Sequence, residues 1–190
     1  IAAIGVSGVD AGLVRAHKRP PVRCADGELV DFGFVGDIDA IDTTVLKALL
    51  DNALMPVVSP LSADASGTLL NVNADTVAAA IGAALGAEKL ILCTGAPGIL
   101  GSLDDPGSLI SYTDLQGLRR LRDEGRIADG MLPKAKAIED AIRGGVRRVH
   151  VVSYKAPEGI LSEVFTNEGT GTLIVADVNA LTPAEQQGAP

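Results

Sequence analysis

Three groups of residues in this chain have the types and spacing needed to handle an anionic ligand. The first is Asn71-Val72-Asn73-Ala74-Asp75, where three short polar side chains alternate with small apolar ones directly after Leu69-Leu70. It leads into residues 76–85, built almost wholly from Ala, Val, Ile, Leu and Gly. That run predicts a helix apolar nearly all round, and hence buried. Asn73 or Asp75 can cap it, because free N–H groups and the helix dipole at an N-terminus favour acceptors and anions. A cap uses one of the three polar residues and leaves two for other work. The second group is Gly95, Ala96, Pro97, Gly98, Ile99 and Leu100, which follow the strand pattern of residues 88–94. Open α/β sheets place their ligands at such carboxyl ends. The run has neither a Walker A pattern nor G-x-G-x-x-G, so on its own it reads equally as a plain exit from a strand. The third is Lys134, which follows Pro133 at the first turn of a predicted helix. Its charge opposes the positive end of the helix dipole. It is either a solvated surface lysine or a cation held, with the helix N–H groups, for an anionic ligand. In phosphoryl transfer that pairing would neutralise charge spreading over the transferred oxygens.

The elements that position these groups follow from composition and pattern. The chain has 190 residues, 47% hydrophobic but only 3% aromatic with no Trp, so its core is aliphatic. That suits Val/Ile-rich strands covered by Ala/Leu-rich helices. A net charge of −8 argues against nucleic-acid surfaces and anionic membranes as partners. No window reads as a membrane span. Cys24 and Cys93 are isolated and lack metal-ligand spacing, so no metal site of the protein's own is expected. Cys93 reads as a buried small residue of its strand, and a reducing, cytoplasmic location follows. The chain opens at Ile1 within a strand pattern and without Met, which marks it as an expected fragment.

In order, residues 1–6 predict a buried strand, and residues 7–12 a turn of small residues. Residues 13–16 and 22–24 read as strands on either side of a basic loop over 15–21, and Gly27 as a hairpin turn. Residues 32–39 alternate like a half-exposed strand. Asp42 is a predicted cap for a helix carrying Val45, Leu46, Leu49 and Leu50 inward. Residues 55–60 and 68–70 read as strands, and residues 88–94 as a central one. Thr113 or Asp114 can cap a helix through Leu115, Leu118 and Leu121. A second helix turns Ile138 and Ile142 inward and stops at Gly144-Gly145. Residues 148–152 and 172–175 are strands with a short helix over 158–165 between them. The alternation predicts one α/β domain with a mainly parallel sheet over residues 1–176, and a loose tail over 177–190.

Together these segments carry a resemblance. Asn71-Val72-Asn73-Ala74-Asp75, then Gly82-Ala83-Ala84-Leu85-Gly86-Ala87-Glu88-Lys89-Leu90-Ile91-Leu92, resembles the core of N-acetylglutamate kinases of the amino acid kinase family. The likeness continues through Pro97-Gly98-Ile99-Leu100, Gly130-Met131-Leu132-Pro133-Lys134, residues 144–150 and residues 165–174, in the family's order. It also takes in residues 5–10 and 32–36. The resemblance implies a three-layer α/β/α sandwich of the carbamate-kinase-like fold, with the family's N-terminal lobe expected to be missing from this chain. It also implies ATP-dependent transfer of phosphate to the side-chain carboxylate of N-acetyl-L-glutamate, a step of arginine biosynthesis. By position, Asn71 and Asn73 would bind the acetylated amino acid, Asp75 would organise catalytic lysines, and Lys134 would stabilise the transferring phosphoryl group. Gly95, Ala96, Pro97, Gly98, Ile99, Leu100, Arg126, Ile127 and Ala128 would hold ATP, with Mg²⁺ carried mainly on its phosphates.

The resemblance implies two departures and a regulatory site. The family's Lys-Gly-Gly phosphate loop, Gly-Gly substrate loop and substrate Arg would all precede Ile1, so this chain alone is expected to be nearly inactive. Where Gly95 stands the family usually has an acidic residue. His150, Glu163 and Gly169 match the places that line an arginine effector site in arginine-inhibited members, and a homo-oligomer is expected. The rival readings are a non-catalytic paralogue that binds nucleotide or arginine, and a related kinase for a carrier-linked aminoadipate.

Overall fold

Strands whose apolar residues fall on one face need a helix or a second sheet to cover that face, and each half of the chain solves this for itself. The computed structural model describes residues 1–24, 27–102, 104–105, 107–127, 129–166 and 169–180. It divides into two compact units, Ile1–Leu85 and Gly86–Pro190.

In the first unit, β1 (Ala3–Ser7) pairs in parallel with β6 (Met55–Ser59), in register from Ala3↔Met55 to Ser7↔Ser59. A four-stranded sheet has the order β5-β2-β7-β8, formed by β2 (Val14–Lys18), β5 (Gly36–Ile41), β7 (Leu61–Ala63) and β8 (Leu69–Asn71). A short hairpin joins β3 (Val22–Arg23) to β4 (Leu29–Val30), and Gly27 takes a φ of 88° between them, as the sequence predicts. Helices α1 (Thr44–Asp51) and α2 (Ala74–Leu85) complete the unit. Its core gathers Leu13, Val14, Ala16, Leu46, Leu70, Val72 and Val77.

Three expectations need correction here. The basic stretch over 15–18 is strand, not loop, because β2 lies antiparallel to the acidic β5. His17 meets Asp39 at 2.7 Å, and beyond the strand Arg19 meets Asp37 at 2.6 Å. β1 is exposed over Ala3, Ile4 and Gly5, since among the described residues it pairs on one side alone. Helix α2 buries Val77, Ala79 and Gly82 and leaves most of its length half-covered, because the unit's core needs one of its faces.

In the second unit the sheet order is β10-β12-β11-β9, formed by β9 (Lys89–Thr94), β10 (Tyr112–Asp114), β11 (Arg148–Ser153) and β12 (Thr172–Val175). β9 and β11 are parallel, as are β10 and β12, whereas β11 and β12 are antiparallel. β9 is therefore an edge strand among the described residues, not the central one expected. Its Cys93 is exposed rather than buried, because that face of an edge strand is only partly covered. Helices α3 (Leu115–Asp123), α4 (Leu132–Arg143) and α5 (Gly159–Phe165) supply the cover. Asp114 caps α3 by accepting the Gly117 N–H at 2.7 Å. Gly145, at φ 103°, ends α4 as expected. Ile138, Ala141, Val149, Val151 and Ile174 are fully enclosed. Val178–Ala180 forms a short 3-10 turn, and the rest of the expected tail, 181–190, lies outside the described residues. No described helix is long and apolar enough to cross a membrane.

Leu70 is fully buried on the inner face of β8, next to Asn71. Leu70→Ala should lower the stability of the first unit by about 2–5 kcal/mol. Urea unfolding followed by circular dichroism would measure that loss.

Candidate functional site

The first unit presents the polar cluster on a strand end and a helix start. Asn71 closes β8, donating its backbone N–H to Phe34 O at 2.8 Å and pairing with Leu61. Its side chain is exposed. Asn73 is the cap of α2: its Oδ1 accepts the Thr76 N–H at 3.1 Å and its carbonyl accepts the Val77 N–H at 3.0 Å. Asp75 stands half-buried in the first turn, where a carboxylate suits the helix dipole. Of the two capping candidates in the sequence, the structure selects Asn73.

In the second unit, the 95–100 loop leaves the carboxyl end of β9 exposed and then dives inward. Gly95 and Pro97 are exposed, whereas Gly98 and Ile99 are buried. The Ile99 N–H donates to Thr172 Oγ1 at 2.8 Å, so the loop is tied to the start of β12. Gly98 is required by this approach, because a Cβ there would stand 2.7 Å from both Thr172 Oγ1 and Leu109 Cδ1. The loop continues as a ladder, with Ile110 N–H on Ile99 O at 2.9 Å. Arg126 joins it from the segment after α3, its Nε donating to Gly101 O and its guanidinium meeting Glu124 at 3.1 Å. Ile127 is buried beside it in sequence, and Ala128 lies outside the described residues. Lys134 is only 9% exposed in the first turn of α4, which excludes the solvated-surface reading. A charge so placed has lost most of its water and must be compensated. Among the described residues no group of three or more His, Cys, Asp or Glu could hold a metal ion.

His150, Glu163 and Gly169 do come together. His150 Nδ1 and Glu163 Oε1 lie 2.8 Å apart between β11 and α5. Glu163 Oε2 accepts the N–H groups of Thr170 at 2.8 Å and Gly171 at 2.9 Å. A Cβ at Gly169 would come 2.7 Å from that same oxygen. His150 Nε2 is buried with no hydrogen-bond partner among the described residues. Burial by itself pushes the Glu163 carboxyl up, but His150 and the two backbone N–H groups outweigh it and hold the group below its ordinary value.

Two residues with a part in this unit escaped the sequence reading. Thr172 reads as an ordinary strand residue, although a hydroxyl at the head of an apolar strand needs a partner when buried. Tyr154 carries no motif, although it is one of two tyrosines in an aromatic-poor chain and stands just past a parallel strand.

The Glu163 cluster makes a pH prediction. Its folded value lies below the ordinary 4.5, so its contribution to stability is complete above that pH and is lost as pH falls through the folded value. Between pH 7 and pH 3, the urea midpoint of the natural chain should fall further than that of Glu163→Gln. Parallel curves would contradict the assignment.

Comparison with known proteins bears on this geometry. A family model described as "Amino acid kinase family" matches residues 1–153. The acetylglutamate kinase of Myxococcus xanthus is 48% identical over 193 aligned residues, which cover 99% of this chain and 62% of that protein. The chain thus spans less than two thirds of that relative's length. A crystal structure of N-acetylglutamate synthase from Neisseria gonorrhoeae, complexed with coenzyme A and L-arginine, matches at TM-score 0.76 and 26% identity, over 93% of this chain and 38% of that one. Carbamate kinase from Giardia lamblia bound to AMP-PNP matches at TM-score 0.62 and 18% identity, over 88% and 54%, a likeness of fold alone. With parallel strand pairs, covering helices and a family match over most of its length, the chain belongs to the amino acid kinase family.

Proposed function

We propose that the chain works in the ATP-dependent phosphorylation of the side-chain carboxylate of N-acetyl-L-glutamate to an acyl phosphate, in arginine biosynthesis. The observation that carries this reading is the 48% identity to an acetylglutamate kinase across 99% of the chain. In the reaction, a carboxylate oxygen of the substrate forms a bond to the γ-phosphorus of ATP while the bond to the bridging oxygen of ADP breaks. No covalent enzyme intermediate is needed, so the protein's work is to position the reactants and neutralise charge.

Each residue's chemistry supports a share of that work. Buried Lys134, with the N–H groups of its helix start, supplies positive charge for the transferred phosphoryl group. The 95–100 loop, braced by Thr172 and Arg126, offers a preformed nucleotide cradle. Asn71 offers an exposed amide to the acetylated amino acid, and Asn73, whose Oδ1 is taken by the cap, has its NH₂ left for a carboxylate. Asp75 would orient catalytic lysines. Mg²⁺ would travel on the nucleotide's phosphate oxygens. We extend the reading to a cytoplasmic homo-oligomer. An arginine effector at His150, Glu163 and Gly169 is supported by the buried Nε2 of His150, which has no hydrogen-bond partner among the described residues.

The test uses a chimera in which the matching N-terminal segment of the Myxococcus xanthus relative precedes this chain, with the acyl phosphate trapped by hydroxylamine. Lys134→Ala should cut kcat by about 100-fold or more while the KM for ATP changes by less than about threefold. Unchanged turnover would favour the non-catalytic binding module instead.

A further inference from the structure

One carboxylate buried in the middle of α4 has no part in the reaction described above. Glu139 keeps only 9% of its side chain exposed, on a helix that also buries Ala135, Ile138 and Ile142. A charge so placed is costly unless it is paired, and Glu139 is paired twice. Arg122, in the last turn of α3, donates from Nη1 to Oε1 at 3.1 Å. Arg143, one turn further along α4, donates from Nη2 to Oε2 at 3.1 Å. The two contacts hold different things: the Arg143 pair is internal to α4, whereas the Arg122 pair ties α4 to α3. Both arginine side chains keep access to water, at 41% and 53% exposure, so the carboxylate is the desolvated partner.

Each of these helices delivers part of the candidate site. Lys134 stands in the first turn of α4, five residues and about 7.5 Å before Glu139. The end of α3 delivers Arg126, whose N–H is fixed on Leu121 O at 2.9 Å, while the Gly125 N–H is fixed on Arg122 O at 2.9 Å. Arg126 Nε then donates to Gly101 O, just past the 95–100 loop. A continuous path therefore runs from that loop through Arg126, Arg122 and Glu139 to the helix of Lys134. Stability gives no reason for a carboxylate at this point, because an apolar side chain of similar volume often serves a core as well or better. Register does give one: packed helices can slide past one another in small steps, and a hydrogen-bonded ion pair between them selects one position.

We propose that Glu139 is a positioning residue, which through Arg122 sets the register of α4 against α3 and so the placement of Lys134 relative to the nucleotide loop. This rests on the kinase reading, in which Lys134 meets the transferred phosphoryl group, and adds the residue that keeps Lys134 in range.

Calorimetric titration of the 190-residue chain with MgATP and MgADP tests this, since only MgATP carries the phosphoryl group that Lys134 meets. Lys134→Ala should weaken MgATP about tenfold and change MgADP by less than about twofold. Glu139→Leu and Arg122→Met should each reproduce most of that selective loss, and Glu139→Leu should unfold at or above the urea midpoint of the natural chain. Arg143→Met cuts no tie between the helices and should stay within about twofold for both nucleotides. Lys134→Ala combined with Glu139→Leu should cost less than the sum of the two, because both act on one contact. A Glu139→Leu chain that keeps the natural preference for MgATP would overturn the proposal and leave the kinase reading standing. So would equal losses for MgATP and MgADP, or equal losses from Arg122→Met and Arg143→Met, because either would mark a general structural role. A folded natural chain with no preference for MgATP over MgADP, or a Lys134→Ala chain that keeps the preference, would sink the proposal together with the kinase role of Lys134.

Discussion

The second unit depends on one buried hydrogen bond, from the Ile99 N–H to Thr172 Oγ1. The 95–100 loop starts from an edge strand, β9, and must reach β12, two positions along the sheet, passing the end of β11. A segment making that crossing buries backbone groups that water can no longer satisfy, at a cost of about 1–3 kcal/mol for each one left unpaired. Thr172 satisfies one of them, and Gly98 permits the approach because any side chain there would strike Thr172 and Leu109. The same crossing leaves Gly95 and Pro97 exposed at the sheet end while Ile99 is locked down. A loop held at one end and open at the other is preorganised, so a ligand need not supply its ordering entropy.

A similar logic governs His150 and Glu163. A carboxylate inside the protein is tolerable when it is fully hydrogen-bonded, and Glu163 is bonded through both oxygens. The pair joins β11, α5 and the turn into β12, which places it behind the strand whose first residue anchors the loop. The strut at Glu163 and the tether at Thr172 therefore brace the same strand head. A change in the partners of Glu163 would act on the mount of the 95–100 loop.

Much of this was legible in the residues. The strand over 172–175, the cap at Asp114, the stop at Gly144-Gly145 and the Gly27 hairpin all follow from local rules, and all stand where those rules put them. Asn73 was legible as one of two candidate caps, and the structure chose between them. What could not be read was long-range. Cys93 lies in a strand pattern that suits a core, but burial depends on how many neighbours the strand finds, and among the described residues β9 finds one. The segment over 15–18 reads as loop because its strand partner β5, and the Asp39 that His17 meets, lie about twenty residues away in sequence. Thr172 and Tyr154 were missed for the same reason: Thr172 acts on Ile99, and Tyr154 lies over Gly95. Lys134 shows the opposite case, in which type and position raised two readings and burial decided between them.

The central claim is that the 95–100 loop is a preformed nucleotide cradle. Amide hydrogen exchange of the 190-residue chain, with and without MgATP, tests it most directly. The account predicts slow exchange at Ile99 and Ile110 in the free protein, and added protection across 95–100 when MgATP binds. Fast exchange at Ile99 in the free protein, with no change on adding MgATP, would contradict it.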